Sequence, residues 1–187
     1  MSSISIAGDT SGSVIIAAPA VAGSTTLTLP TTTGTLVTSN AMPTGSVLQV
    51  VQGSFTTQVS TSSSTYSDTG ITATITPSSS SNKILVFSSV LGCLKQLSNT
   101  KIGLRLVRNS TTVDTFSTET GRSTDYGANA QVDVGTISSV NLDSPATTSA
   151  TTYKIQFASV ANTSNIQINN VSGTTVGSTI TLMEIKA

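Results

Sequence analysis

The segment Arg122-Ser-Thr-Asp125-Tyr126-Gly-Ala-Asn129 gathers more chemically versatile side chains than any other stretch of the chain, and it falls on one expected loop. A guanidinium, a carboxylate, a carboxamide and a phenol ring are the groups that hold sugars. The ring covers an apolar sugar face while the others exchange hydrogen bonds with hydroxyls. Arg122, Asp125, Tyr126 and Asn129 are therefore candidate glycan contacts. The plainer reading, a surface loop with Tyr126 packed over the end of the fold, weighs more, because loops carry such residues without function too.

Other chemistry finds little to work with. Histidine is absent, so 32 serines have no imidazole to activate them and a Ser-His-Asp arrangement is excluded. A Ser-Lys variant needs a desolvated lysine beside a serine, and neither Lys83 nor Lys154 sits in such a motif. Glycoside hydrolysis needs two carboxylates across a cleft. Glu119, Glu184 and six aspartates lie on separate expected loops and strands. No catalytic residue is assigned, and the chain is expected not to be an enzyme. Zinc lacks ligands, since there is one thiol and no imidazole. Asp125 with Asn129 is too thin a cluster for calcium. No metal, and no cofactor, is expected. Cys93 lies in the apolar run Ile84 to Leu94 and reads as a small buried hydrophobe.

The elements that must carry these residues are strands. The chain holds 32 serines and 35 threonines among 187 residues, interleaved with Val, Ile and Leu, a mixture that suits a pleated surface. Charged residues are 9% of the chain, eight of each sign, against roughly 25% in ordinary globular chains. Clustered cations for duplex phosphates or a polybasic membrane anchor are missing, so nucleic acid and membrane insertion are not expected. Zero net charge removes the self-repulsion that keeps free monomers apart, which favours an assembly. The N-terminus has no basic region or long apolar core, and no window approaches the ~20 apolar residues of a membrane span. The expectation is a protein made and assembled in a cytoplasm.

Residues 1–40 contain one charge, Asp9, and short apolar clusters separated by Gly8, Gly12, Gly23, Pro30 and Gly34. Forty such residues cannot build a core alone. They are expected to anchor or to intertwine with sister copies, with Leu27, Leu29 and Leu36 at the interface. Met42-Pro43-Thr44-Gly45 marks the boundary. Residues 46–187 then read as nine or ten strands with polar turns. Val47 to Val51 is apolar at both parities, which predicts a strand buried on two sides. Ile71, Ala73 and Ile75 alternate with threonines, as a half-buried strand does. Ile84 to Leu94 is a candidate core strand. In the last strand, period two places Glu184 with Ile180 and Leu182. Either a bulge resets the pleat, or both faces are covered and Glu184 is paired; the second is preferred, near a subunit interface. The fold class is all-β: an N-terminal extended β segment followed by an antiparallel jelly-roll-like sandwich.

Two pieces of the chain carry a resemblance. Ala18-Pro-Ala-Val-Ala-Gly23, followed by Leu27-Thr-Leu-Pro30 and Gly34-Thr35, resembles the N-terminal segment of appendage proteins of tailed bacteriophages, particularly marine and cyanobacterial ones. Ser81-Asn-Lys-Ile-Leu-Val86, Leu104-Arg-Leu-Val-Arg-Asn109, Thr151-Thr-Tyr-Lys-Ile-Gln-Phe157 and Ile180-Thr-Leu-Met-Glu-Ile185 resemble the β-sandwich heads of phage fibre and capsid-appendage proteins. The resemblance implies a virion structural protein, usually a homotrimer, of the fibre, head-fibre or capsid-decoration type. Its partners would be itself and other capsid or tail proteins. The alternative it carries is a receptor-binding tail-fibre head that takes host surface glycan during attachment.

Overall fold

Alternation of aliphatic and hydroxyl residues becomes strand after strand in the computed structural model, which describes residues 3–7, 10–17, 20–21, 23, 26, 31–32, 42–97, 99–120, 132–161, 163–170 and 177–187. The chain divides into two compact units, Met1–Thr38 and Ser39–Ala187. In the first, β1 (Ser3–Ala7) pairs antiparallel with β2 (Ser13–Ala17), with Ile4 opposite Ile16 and Ile6 opposite Val14. Directly opposed residues share a face, so Ile4, Ile6 and Ile16 lie on one side of the hairpin and Ile15 on the other.

The second unit contains β3 (Val47–Phe55), β4 (Val59–Thr61), β5 (Ser67–Ile75), β6 (Lys83–Lys95), β7 (Lys101–Arg108), β8 (Thr111–Thr120), β9 (Val132–Asp143), β10 (Thr151–Ala161), β11 (Ile166–Ile168) and β12 (Ser178–Ile185). Their pairing is nested. β7 pairs with β8, β6 with β9, β5 with β10, β4 with β11 and β3 with β12, all antiparallel. One long hairpin has in effect been rolled up. The result is a smaller sheet, β5-β10-β7-β8, and a larger one in which β3-β12-β6-β9 lie side by side and β11-β4 continue along the far end of β6. This is the strand order of a jelly roll. No helix occurs among the described residues.

Inward residues of both sheets form one core. Ile71, Ile75, Leu104, Leu106, Tyr153 and Ile155 come from the smaller sheet and Ile84, Val86, Val90, Ile166, Ile180 and Leu182 from the larger; all are buried. Each such side chain contributes roughly 1.5–3 kcal/mol. Glycine is required where strands crowd. A Cβ on Gly53 would collide with the Thr72 carbonyl, where β3 meets β5. Gly92 has φ +55 at a bulge of β6, with a built Cβ 2.7 Å from the Asn170 nitrogen.

One expectation changes and one open alternative is resolved. β3 is not buried on two sides: it is an edge strand, and Val47 and Val50 point outward with nothing in this unit's sheets above them. In β12 the pleat is not reset. Burial alternates without a break from Ser178 to Ile185, and the register shift lies in β3, between Gln49 and Val47. Glu184 therefore points inward, and it is paired, as the preferred alternative required. The strand's outer face, Met183 and Ile185, is only half-buried.

Candidate functional site

The two sheets turn very different outer faces to solvent. On the larger sheet the register aligns Val50, Met183, Leu85 and Leu142 in a row across four strands. The next row is Gln52, Thr181, Phe87 and Val140, and the one beyond is Ser54, Thr179, Ser89 and Ser138. Val47 and Ile185 extend the apolar area to the other side, where Lys83 lies opposite Ile185. Val47, Val50, Phe87, Val140 and Leu142 stand 39% to 62% exposed. Between Phe87 and Val140 a depression of about 190 Å³ is lined by Ser89, Ser138, Thr179 and Thr181.

The smaller sheet faces outward with hydroxyls and charge. Thr74 and Thr152 join Oγ to Oγ at 2.8 Å. Lys154 Nζ donates to Asp68 at 2.8 Å, Gln156 Nε2 donates to the other Asp68 oxygen at 2.6 Å, and Arg105 Nε donates to Gln156 at 2.8 Å. The Arg105 guanidinium lies 4.3 Å from the centre of the Tyr66 ring, a cation–π contact. Partial burial pushes the Asp68 carboxyl up, but the hydrogen bonds from Lys154 and Gln156 more than offset it and hold the group below the usual value. Burial raises the Tyr66 phenol against the pull of Arg105.

Several polar groups inside the sandwich are tied off, whereas the buried Thr100 hydroxyl has no partner among the described residues. Glu184 Oε1 accepts from Ser78 N (2.7 Å), Ser78 Oγ (2.7 Å) and Asn82 Nδ2 (2.6 Å), and Oε2 accepts from Gln49 Nε2 (2.5 Å). Burial pushes this carboxyl up, yet the donors of Asn82, Gln49 and Ser78 win and lower it. Asp143 accepts from Arg108 Nη1 at 2.6 and 2.7 Å and from the Tyr153 hydroxyl at 2.6 Å, joining β9 of one sheet to β7 and β10 of the other. Asn169 donates to the Phe55 and Thr57 carbonyls and accepts from Ser178 N and Oγ. These carboxylates and amides have their hydrogen-bonding capacity filled by protein groups. Burial pushes the Cys93 thiol up to about 12.

The sequence candidates Leu27, Leu29 and Leu36, and Arg122, Asp125, Tyr126 and Asn129, all lie outside the described residues. Lys154 is joined to Asp68, and Cys93 is buried as expected. Sequence reasoning did not single out Val50, Phe87, Val140, Leu142 and Met183 as one surface, nor Tyr66, Arg105, Asp68 and Gln156 as another. A signal for the first was present: β3, β6 and β12 are apolar at both parities, more than a one-sided core requires. Only the register shows that those extra residues meet.

No protein-family model matches the chain, and no curated protein matches it. Among solved structures it is similar to the infectious bursal disease virus VP2 subviral particle, at 12% identity and a TM-score of 0.33, over 74% of this chain and 38% of that one. The chain thus spans well under half of that protein, and a likeness at this level carries no argument. The chain folds as an antiparallel jelly-roll sandwich with one apolar and one polar outer face.

Proposed function

We propose that this chain is a virion structural protein of a tailed phage, a short homotrimeric appendage or decoration. Its N-terminal unit docks on the capsid or tail, its sandwich head faces outward, and it catalyses no reaction. The observation that carries the reading is the β1–β2 hairpin, whose Ile4, Ile6, Ile15 and Ile16 are 45% to 66% exposed. A lone two-stranded hairpin is marginal in water, so an apolar hairpin of this kind needs a surface outside itself. The Ala18–Gly23 and Leu27–Pro30 motifs that follow carry the resemblance to docking segments. Jelly rolls serve viral coat proteins and lectins alike, so the choice between them rests on faces rather than on fold. The test is particle incorporation. Ile4→Asp with Ile16→Asp, and separately Leu27→Asp with Leu29→Asp, should leave the protein in the soluble fraction when virions are sedimented. Normal incorporation of both variants refutes the docking unit.

A second reading, a glycan-binding head used in host attachment, is favoured by the Tyr66–Arg105–Gln156–Asp68 strip, which combines a ring with guanidinium, amide and carboxylate. It predicts saturable binding to host-surface glycan that is lost in Tyr66→Ala or Tyr126→Ala. Unchanged binding in both variants removes it.

A further inference from the structure

We propose that the outer face of β3-β12-β6-β9 is a self-association surface, on which a second copy of this chain seats through Val50, Met183, Leu85, Leu142, Phe87 and Val140. The proposal goes beyond docking on a particle and does not depend on it.

Charge is the first argument. Three consecutive rows of this face hold no ionisable group, so the matching surface must be uncharged as well. The chain carries charge outward when a face is meant for water: Asp68, Lys154 and Arg105 all sit on the outer side of the smaller sheet. The larger sheet, built from the same alternating strands, places leucine, valine, phenylalanine and methionine at the equivalent outward positions. A second copy brings a face of the required kind, and with a net charge of zero nothing repels it at long range.

Area is the second argument. Five large side chains about half exposed, with the half-buried Leu85, Met183 and Ile185 among them, form a contiguous apolar patch on the scale of a few hundred Å², a size that is often functional. A stable contact covers roughly 800 Å² on each partner, with an apolar centre and a polar rim. The apolar rows supply the centre, and Ser54, Thr179, Ser89 and Ser138 supply one rim.

Shape is the third. Two sheets pack face to face when aliphatic side chains interdigitate across about 10 Å. The 190 Å³ depression beside Phe87 is a hole floored by small hydroxyl residues. The neighbouring Val140 and Leu142 stand proud of the same sheet and offer the side chains a sister copy would insert. A projecting side chain on one copy set into a depression on the next is a heterologous contact, and three such contacts close the ring of a homotrimer.

The test is sedimentation velocity on the full chain over a micromolar concentration series. The wild type should sediment above the 18.9 kDa of one chain. Val140→Asp with Leu142→Asp should shift the population to monomer, with circular dichroism and melting behaviour showing an intact fold. Val50→Lys, on the opposite edge of the patch, is the independent second variant and should weaken association at least tenfold. Thr74→Asp, on the smaller sheet, should leave it unchanged. A monomeric wild type overturns the proposal, and so does a folded Val140→Asp/Leu142→Asp protein that remains oligomeric. Association lost in Ile4→Asp/Ile16→Asp but kept in both sheet variants places the contact in the N-terminal unit instead and also overturns it. Loss of particle incorporation with self-association intact would separate this surface from the docking segment.

Discussion

Glu184 offers the sharpest test of how the interior is held. Its carboxylate is fully buried and accepts from neutral donors: Ser78 N and Oγ, Asn82 Nδ2 and Gln49 Nε2. Glu184→Ala would leave the Ser78 N–H without an acceptor and the buried Asn82 amide with only the Ser78 hydroxyl, 3.2 Å away. At roughly 1–3 kcal/mol for each unsatisfied group, the expected cost is about 3–5 kcal/mol. Glu184→Gln separates charge from shape. A glutamine keeps one carbonyl for the three donors at Oε1 but turns an NH2 toward Gln49, which also donates to the Thr76 carbonyl at 2.8 Å and loses that bond if it flips. The expected cost at neutral pH is about 1–2 kcal/mol. The sign of the pH dependence follows from the lowered carboxyl. A group whose pKa is lower folded than unfolded stabilises fully above its unfolded value, here about 4.5, and that contribution is lost as pH falls through the folded value. The gap between wild type and Glu184→Gln should therefore be widest at neutral pH and should narrow as the pH falls below about 4.5 and through the lowered folded value. Urea denaturation followed by circular dichroism, at one fixed protein concentration so that association contributes equally to both proteins, measures both. Equal stability at pH 7, or a gap that stays constant with pH, would show that the carboxylate is not held by these donors.

Gly92→Ala asks a left-handed backbone (φ +55) to carry a Cβ that meets the Asn170 nitrogen at 2.7 Å and its oxygen at 2.9 Å. Strain and displacement together should cost about 2–4 kcal/mol, seen as a lower urea midpoint at unchanged slope; a change under about 0.5 kcal/mol contradicts the bulge geometry. With its thiol pushed up to about 12 by burial, Cys93 should resist a thiol reagent at pH 8 in the native protein and react fully in denaturant. Rapid native labelling would mean that β6 opens.

Much of the sandwich was legible in the sequence because burial on one side leaves a period of two. Ile71-Ala73-Ile75, Tyr153-Ile155-Phe157 and Ile180-Leu182 stand where alternation placed them. Legibility ended where a strand is apolar at both parities. For Val47 to Val51 that pattern was read as burial on both sides. The same pattern arises when the second face is apolar but uncovered within the chain, and composition does not distinguish the two. Glu184 shows the converse. Alternation correctly turned it inward, but its partners come from Gln49 and the Ser78–Asn82 loop, some hundred residues away in sequence. Pairings of that separation are fixed by the nesting of β3 with β12 and β12 with β6, which no local pattern encodes. The Tyr66–Arg105–Gln156–Asp68 strip was missed for the same reason, since its members come from β5, β7, β10 and the turn before β5.

The scarcity of charge and the apolar face belong together. Two of the chain's few cations are spent on local partners, Lys154 on Asp68 and Arg108 on Asp143, so they contribute little net field. A free monomer with an uncovered aliphatic sheet face normally relies on surrounding charge of one sign to stay dispersed. This chain has no such excess. Covering the face, as proposed, removes that need, and a hydroxyl-rich remainder, rich in neutral β-formers such as threonine, suits the surface that stays wet. Adding charge to the smaller sheet should therefore change little, whereas adding it to the β9 row should replace assembly by a soluble monomer.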